Sequence, residues 1–279
     1  MTGNRTLAVT VNLRWSSAAR THAGRVRPHN QDACLELPGR GIWAVADGMG
    51  GHAAGELASQ MIVDALARMP PVDSVGLLVG EVRKSLQSVN RRLCDEARRR
   101  REPVIGSTVV VLLALADHAV LIWAGDSRAY RLQQGRLQRL TRDHSRVEDL
   151  VAQGLITREQ AETHPAANVI TRAVGVTERL DLDAEIVEVS DGDVFLLCSD
   201  GLYKELAEAE IGRILAIGDD RKACDMLLER ALERGARDNV SVVVVSVLDA
   251  TTLTKTQWNP SLTPDAKSAS ASDDPTKLK

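Results

Sequence analysis

Four aspartates with glycine or asparagine close by are the residues of this sequence best suited to chemistry. They occur in Asn30-Gln31-Asp32, Ala46-Asp47-Gly48, Ser199-Asp200-Gly201 and Arg237-Asp238-Asn239. Carboxylate oxygens are hard ligands, so several of them converging on one point would suit Mg²⁺ or Mn²⁺. If the fold brings these four side chains together, we expect metal-assisted chemistry on a phosphate.

The elements that must position these residues can be predicted from apolar periodicity. Helices are expected at 53–69, 73–101, 207–216 and 220–234, and two short helical pieces within a polar, mobile insertion at 143–170. Strands are expected at 7–19, 41–46, 108–115, 119–124, 128–132, 137–141, 182–188, 193–199 and 239–247. Most strands form hairpins and the helices come in blocks, which favours an α+β fold with antiparallel sheets over a doubly wound parallel sheet.

The composition narrows the class of protein. The chain has 279 residues, of which 44% are hydrophobic, enough for a sizeable core. A net charge of −3 and an aromatic content of 3% give no reason to expect a nucleic-acid partner. Four cysteines without paired spacing indicate reduced thiols, and no secretory or membrane-spanning segment is visible. We therefore expect a cytoplasmic monomer with no membrane contact, built as one domain at 1–250 and a disordered tail at 251–279.

Taken singly, each motif has an ordinary structural explanation. Asp-Gly pairs are common in turns, because glycine tolerates positive φ and aspartate bonds to the local backbone. No G-x-x-x-x-G-K-[ST] segment is present, so a P-loop is excluded. The histidines lack zinc-site spacing. A basic run at 98–101 is best explained as the solvated end of a helix.

A thiol-based phosphatase is the main chemical alternative, since the spacing C-x5-R begins at Cys34, Cys94 and Cys224. That chemistry needs a thiolate within a loop of free backbone N–H groups. Cys34 is followed by Glu36 and Pro38, and the other two cysteines fall in predicted helices. We therefore expect these matches to be accidental.

Taken together and in order, the motifs resemble a known family. The series consists of Gly24-x-Val26-Arg27-x-x-Asn30-Gln31-Asp32, Ala46-Asp47-Gly48-Met49-Gly50-Gly51-His52, Gly106-Ser107-Thr108, Ala124-Gly125-Asp126-Ser127-Arg128, Asp143-His144-Ser145, Cys198-Ser199-Asp200-Gly201-Leu202 and Asp238-Asn239-Val240-Ser241. It is similar to the bacterial branch of the metal-dependent PP2C (PPM) serine/threonine protein phosphatases, over about residues 7–248. The resemblance implies a four-layer αββα sandwich, in which helices flank two antiparallel β-sheets, and a binuclear metal centre at one edge between the sheets.

The resemblance also implies roles for individual residues. Two Mn²⁺ or Mg²⁺ ions would be held by Asp32, Asp47, Asp200, Asp238 and the Gly48 carbonyl, with Asp47 bridging the ions and orienting the attacking water. Arg27 would clamp the phosphate, Asp126 would hold a possible third ion that shares Asp200, and residues 143–170 would form a flap over the site. Asn168 is expected near this third ion.

One position departs from many eukaryotic relatives, where a histidine after the Asp-Gly pair is the proposed general acid. Here that residue is Met49, which has no proton to donate. His52 and a metal-bound water remain the two candidates.

The resemblance leaves two functions open. The first is hydrolysis of phosphoserine and phosphothreonine in proteins, opposing a bacterial Ser/Thr kinase and its substrates, with type VI secretion control as one setting. The second is a regulatory or non-catalytic protein of the same fold that binds phosphoproteins. Because every matched metal position is an aspartate, catalysis is favoured.

Overall fold

Strands and helices alternate along the chain in the order that the apolar periodicity predicts. The computed structural model describes residues 13–50, 53–70, 75–115 and 117–250. The strands are β1 (Leu13–His22), β2 (Asp32–Leu37), β3 (Ile42–Met49), β4 (Gly106–Ser107), β5 (Val109–Leu115), β6 (His118–Ala124), β7 (Arg128–Gln133), β8 (Arg136–Arg139), β9 (Asp183–Glu188), β10 (Val194–Cys198) and β11 (Val240–Asp249). The helices are α1 (Ala54–Ala67), α2 (Val75–Arg100), α3 (Arg146–Ala152), α4 (Arg158–Glu162), α5 (Asp200–Tyr203), α6 (Glu208–Leu215) and α7 (Asp220–Glu233).

The strands form two antiparallel sheets. One sheet has the order β1-β11-β10-β7-β8, and the other has the order β2-β3-β5-β6-β9 with β4 added beside β3. The last strand of the described region, β11, lies in the first sheet between β1 and β10. Each sheet therefore combines strands that are distant in sequence.

Strand β11 shows how the layers are built. Val243, Val245 and Val247 pack between the sheets together with Trp43 and Phe195. The alternate residues of the same strand, such as Val242 and Val244, pack under α5, α6 and α7. Because successive side chains point to opposite faces and both faces are covered, the strand is apolar at almost every position.

The second sheet is covered in the same way by α1 and α2, whose buried residues share a core with the outward faces of β3 and β5. The layers are thus helix, sheet, sheet and helix. The predicted α+β sandwich of two antiparallel sheets flanked by helices is confirmed.

Most predicted elements are present within a few residues of their expected bounds, including both hairpins and both long helices. Strands β2 and β4 and the short helix α5 were not predicted. The first strand runs over Leu13–His22 rather than 7–19, and residues 7–12 lie outside the described part of the chain. The proposed tail at 251–279 also lies outside it.

Candidate metal and phosphate site

Asp32 and Asp47 lie side by side at one end of the second sheet. Asp32 is the first residue of β2, and Asp47 on β3 is its direct partner in the antiparallel register. Opposite residues in such a pair have Cα atoms about 4.5–5.5 Å apart. The pairing therefore places two carboxylates next to each other on a rigid part of the fold.

Asp200 and Asp238 reach the same edge from the other sheet. Asp200 is the first residue of α5, directly after β10, and Asp238 comes just before β11. A hydrogen bond joins the two sheets here, because Ser199 Oγ donates to Asp32 Oδ2 at 2.7 Å. The four predicted aspartates are thus brought together where the two sheets meet.

Neither Asp-Gly pair forms a turn, so the expectation of a turn around each aspartate is wrong for these two. Gly48 lies in β3 and Gly201 lies in α5. A Cβ atom at Gly48 would lie 2.0 Å from the Gly55 carbonyl oxygen, and one at Gly201 would lie 2.0 Å from that of Asn239. Glycine is required at both positions because another backbone segment passes too close for any side chain.

Burial and mutual repulsion raise the pKa values of the clustered carboxyl groups. Burial, with Asp200 and Asp238 adding to it, raises the pKa of Asp32 from 3.8 to about 7, although hydrogen bonds from Ser241 and Ser199 oppose the shift. The pKa of Asp47 is raised well above 3.8 by burial and by the charges of its neighbours, Asp32 first among them. Ionised together, these groups would be unfavourable without added positive charge.

Asp126 joins the cluster from the loop after β6. It is buried, and burial together with the charges of Asp200 and Asp143 raises its pKa to about 7. It lines a cavity of about 1170 Å³, as do Arg27, Lys204 and Asp238. Among the neighbouring charges, that of Asp200 acts most strongly on Asp126, so the two carboxyl groups lie close to each other.

Two buried carboxylate oxygens of this cluster, Asp32 Oδ1 and Asp126 Oδ1, have no hydrogen-bond partner among the described residues. A buried acceptor of this kind is costly unless it is satisfied. An all-oxygen donor set with unsatisfied anionic acceptors fits Mg²⁺ or Mn²⁺. Within the described ranges, no three His, Cys, Asp or Glu side chains are gathered closely enough to ligate an ion as they stand.

Instead, two cationic side chains pair with the outer aspartates. Arg27 donates from Nε and Nη2 to the two carboxylate oxygens of Asp238, at 2.9 and 2.7 Å. Lys204 Nζ lies 2.5 Å from Asp200 Oδ2 and donates to Asn168 Oδ1 at 2.9 Å. Arg27, predicted to clamp phosphate, therefore lies at the site. The side chain of Lys204 bridges Asn168 and Asp200.

The segment 143–170 forms one wall of the cavity. Ser145, Val151, Arg158 and Asn168 line it from this side. The segment is fixed at its base, since Arg128 donates to Asp143 Oδ2 at 2.7 Å and residues Ser145 and Ile170 form a β-bridge. A flap that shapes access to the site is consistent with this arrangement.

Several supporting residues were not assigned a role from sequence. Thr108 Oγ1 accepts from Asp47 N at 3.2 Å and shares a 2.7 Å hydrogen bond with Ser127 Oγ, so it ties β3 to the loop of Asp126. Asn239 donates from Nδ2 to the carbonyls of Ala23 and His29. Both residues occur within the quoted motifs, which is the one signal that could have singled them out.

The alternative thiol chemistry finds no support in the described structure. Cys94 lies in α2 and Cys224 in α7, while Cys34 lies in β2. Burial raises the pKa values of Cys34 and Cys224 to about 12, so their thiols stay protonated at neutral pH. The candidate general acid His52 lies outside the described residues.

Comparison with known proteins agrees with this site. The family model described as protein phosphatase 2C matches residues 20–235. The serine/threonine protein phosphatase PstP of Mycobacterium tuberculosis is 37% identical over 244 residues, which cover 86% of this chain and 46% of PstP. The chain thus spans about half the length of that relative.

Two solved structures are also similar. PppA, described as a key regulatory component of T6SS in Pseudomonas aeruginosa, is 44% identical with a TM-score of 0.80, covering 85% of this chain and 100% of PppA. The catalytic domain of PstP in complex with two manganese ions is 34% identical with a TM-score of 0.78, covering 85% of this chain and all of that domain. None of the helices in the described ranges is long and apolar enough to cross a membrane.

Proposed function

The chain belongs to the protein phosphatase 2C family, and we propose that it hydrolyses phosphoserine and phosphothreonine in proteins with the help of divalent metal ions. The observation that carries the proposal is the pair of unsatisfied buried oxygens, Asp32 Oδ1 and Asp126 Oδ1, within a cluster of five aspartates beside an arginine. Such a cluster destabilises the fold unless cations enter it, and so it is best explained by a metal-dependent activity.

In this proposal two Mn²⁺ or Mg²⁺ ions are held by four aspartates and one carbonyl oxygen. Asp32, Asp47, Asp200, Asp238 and the Gly48 carbonyl would hold these ions, with Asp47 shared between the two. When bound, the ions supply a water of lowered pKa as the nucleophile and neutralise the carboxylates. Asp126, which shares the cavity, is assigned to a third ion together with Asp200.

The chain's own residues position this machinery. Ser199 holds Asp32 Oδ2, which leaves Oδ1 for a cation, and Thr108 fixes the backbone of Asp47. Arg27 lies at the cavity with a planar guanidinium group whose geometry matches two phosphate oxygens. We assign it to binding the phosphate of the substrate. The flap at 143–170 limits which protein segments can enter.

The proton donor to the leaving serine or threonine oxygen is the remaining part of the mechanism. Met49 at the end of β3 has no proton to give, so His52 and a metal-bound water are the two candidates for this role. If His52 is the donor, a change of His52 to alanine should lower turnover of a substrate with a poor leaving group much more than turnover of an aryl phosphate, whose leaving group needs no proton.

The biological setting is also part of this proposal. We propose that the protein acts as a monomer in the bacterial cytoplasm on phosphoproteins made by a cognate Ser/Thr kinase and on that kinase itself. Similarity to PppA supports a role in type VI secretion control. Four free cysteines are consistent with a reducing compartment.

Hydrolysis of a phosphothreonine peptide by the purified protein tests the function. We expect release of phosphate with Mn²⁺ or Mg²⁺ and none with EDTA. Asp47→Asn should lower turnover by at least about two orders of magnitude, because it removes a charge from the cluster that activates the water. Asp64→Asn is the matched control, since Asp64 pairs with Arg68 on the surface of α1.

A folded protein without activity in any metal would overturn catalysis and favour a phosphoprotein-binding role. Full activity of Asp47→Asn would instead reject the assigned site.

A further inference from the structure

Lys204 places a positive charge directly on one of the proposed metal ligands. It follows α5, four residues after Asp200, and its backbone N–H donates to the Asp200 carbonyl at 3.0 Å. This helical spacing brings the two side chains to the same face, where Nζ meets Asp200 Oδ2. Asp126 and Asp238 also attract the Lys204 ammonium group. Lys204 therefore sits where a divalent cation would add two further positive charges.

The same ammonium group also holds the flap. Its second acceptor is Asn168 Oδ1, at 2.9 Å, close to the end of the segment 143–170. Asn168 is exposed and its neighbour Val169 is 50% exposed, so this end of the flap is held mainly by the Arg146 N–H bond to the Val169 carbonyl, the β-bridge at Ile170 and the contact of Asn168 with Lys204. One lysine thus connects the flap to the floor of the site through two hydrogen bonds.

The pairing of Lys204 differs from that of a surface lysine. Its Asp200 partner is only 14% exposed, whereas the Lys84–Glu81 pair on α2 has exposed fractions of 77% and 32%. Screening by water is weaker for the buried carboxylate, so a nearby charge acts on it more strongly. A cation that binds Asp200 must therefore weaken the hold of Lys204 on this carboxylate.

Building on the proposed metal site, we infer that Lys204 is a latch that fastens the flap to Asp200 and competes with the divalent ion for that carboxylate. Binding of the ion releases Lys204 from Asp200 and loosens the flap at Asn168. Without the lysine, the ion meets no competing charge at Asp200 and therefore binds more tightly. By linkage, the ion weakens the contact between Lys204 and Asp200 by the same free energy by which that contact weakens binding of the ion.

The latch can be tested with Lys204→Met, which keeps an unbranched side chain one atom shorter than lysine and removes its charge. Calorimetric titration with Mn²⁺ should give a dissociation constant at least about fivefold lower than that of the parent, a coupling at the low end of the usual range. Lys204→Arg keeps the charge and should stay within about twofold of the parent. Lys84→Met is the matched control and should leave the dissociation constant unchanged.

Amide hydrogen exchange supplies the second measurement, on the protein in EDTA and with Mn²⁺. In the parent, exchange over 164–170 should be slow in EDTA and faster with Mn²⁺, because the ion opens the latch. In Lys204→Met it should already be fast in EDTA and should not rise further. Equal Mn²⁺ affinity in Lys204→Met and the parent, or equal flap exchange in EDTA, would overturn the latch.

These outcomes are distinct from failure of the proposed function. If the parent binds no Mn²⁺ at all, the metal site is rejected, and the latch falls with it. If the parent binds Mn²⁺ and hydrolyses the phosphopeptide while Lys204→Met behaves like the parent in both measurements, only the latch is rejected.

Discussion

Replacing Asp32 with asparagine should stabilise the metal-free protein at alkaline pH and at the same time abolish its activity. The reason is that the folded state raises the pKa of Asp32 from 3.8 to about 7, chiefly through burial. Between these two values the native protein binds a proton that the unfolded chain does not. The stability that this proton provides is present below pH 4 and is lost as the pH rises through 7.

The size of the effect follows from the same shift. Raising the pH from 5 to 8 costs the parent up to about 3 kcal/mol at this one group, whereas the neutral asparagine is unaffected. Asparagine also places an amide where Asp32 Oδ1 has no hydrogen-bond partner among the described residues, which costs about 1–3 kcal/mol at both pH values. At each pH, the free energy of unfolding of the parent is therefore subtracted from that of the variant. The diagnostic quantity is how much this difference changes between pH 5 and pH 8.

Urea unfolding in EDTA at pH 5 and pH 8 measures this quantity for both proteins. We expect the free energy of unfolding of the variant, relative to that of the parent, to be about 2–3 kcal/mol higher at pH 8 than at pH 5. Asp64→Asn, on the surface of α1, should show a change below about 0.5 kcal/mol. A stability difference between Asp32→Asn and the parent that is the same at both pH values would refute the argument that a buried, repelled carboxylate strains the metal-free fold.

Two further substitutions distinguish binding of the substrate phosphate from binding of the metal ions. Arg27→Ala should lower kcat/KM for a phosphopeptide by about 10–100-fold, since it removes a charge-assisted contact with the phosphate. Calorimetry should still show Mn²⁺ binding to this variant, and loss of Mn²⁺ binding would contradict the phosphate role. Asp126→Ala should leave the first two Mn²⁺ ions bound but lower turnover and shift its dependence on Mn²⁺ concentration; an unaltered Mn²⁺ titration of activity would remove the third-ion assignment.

The parts of the fold that could be predicted from the sequence are those with a strong local pattern. Helices α1 and α2 have apolar residues at helical spacing, and Pro70 comes three residues after the last residue of α1. The hairpin around 117–118 has turn residues between apolar, β-branched runs, and the hairpin around 134–135 is marked by Gln134-Gly135. Strand β2 was missed because it is short and carries Asp32, Cys34 and Glu36 where an apolar run would be expected.

The site was predicted by residue type but not by geometry. Motif order pointed to aspartates that the structure brings to one edge of the two sheets, yet the two Asp-Gly pairs were interpreted as turns. The structure shows instead that Gly48 and Gly201 allow a close approach of two backbone segments, which depends on residues distant in sequence. Lys204 was missed for the same reason, since its importance depends on Asn168 and Asp200 lying on either side of it.

The cluster also explains why the two sheets must pack as they do. Asp32 lies in one sheet and Asp200 follows β10 of the other, so the distance between their carboxylates depends on the packing between the sheets and on the hydrogen bond from Ser199 to Asp32. Repulsion among the ionised aspartates pushes this edge apart, whereas the core around Trp43 and Phe195 holds the sheets together. Arg27 and Lys204 reduce the repulsion at the outer aspartates, where solvent can reach them. No Lys or Arg among the described residues forms a salt bridge with Asp32 or Asp47, which makes these two carboxylates the positions where a divalent ion would contribute most to stability.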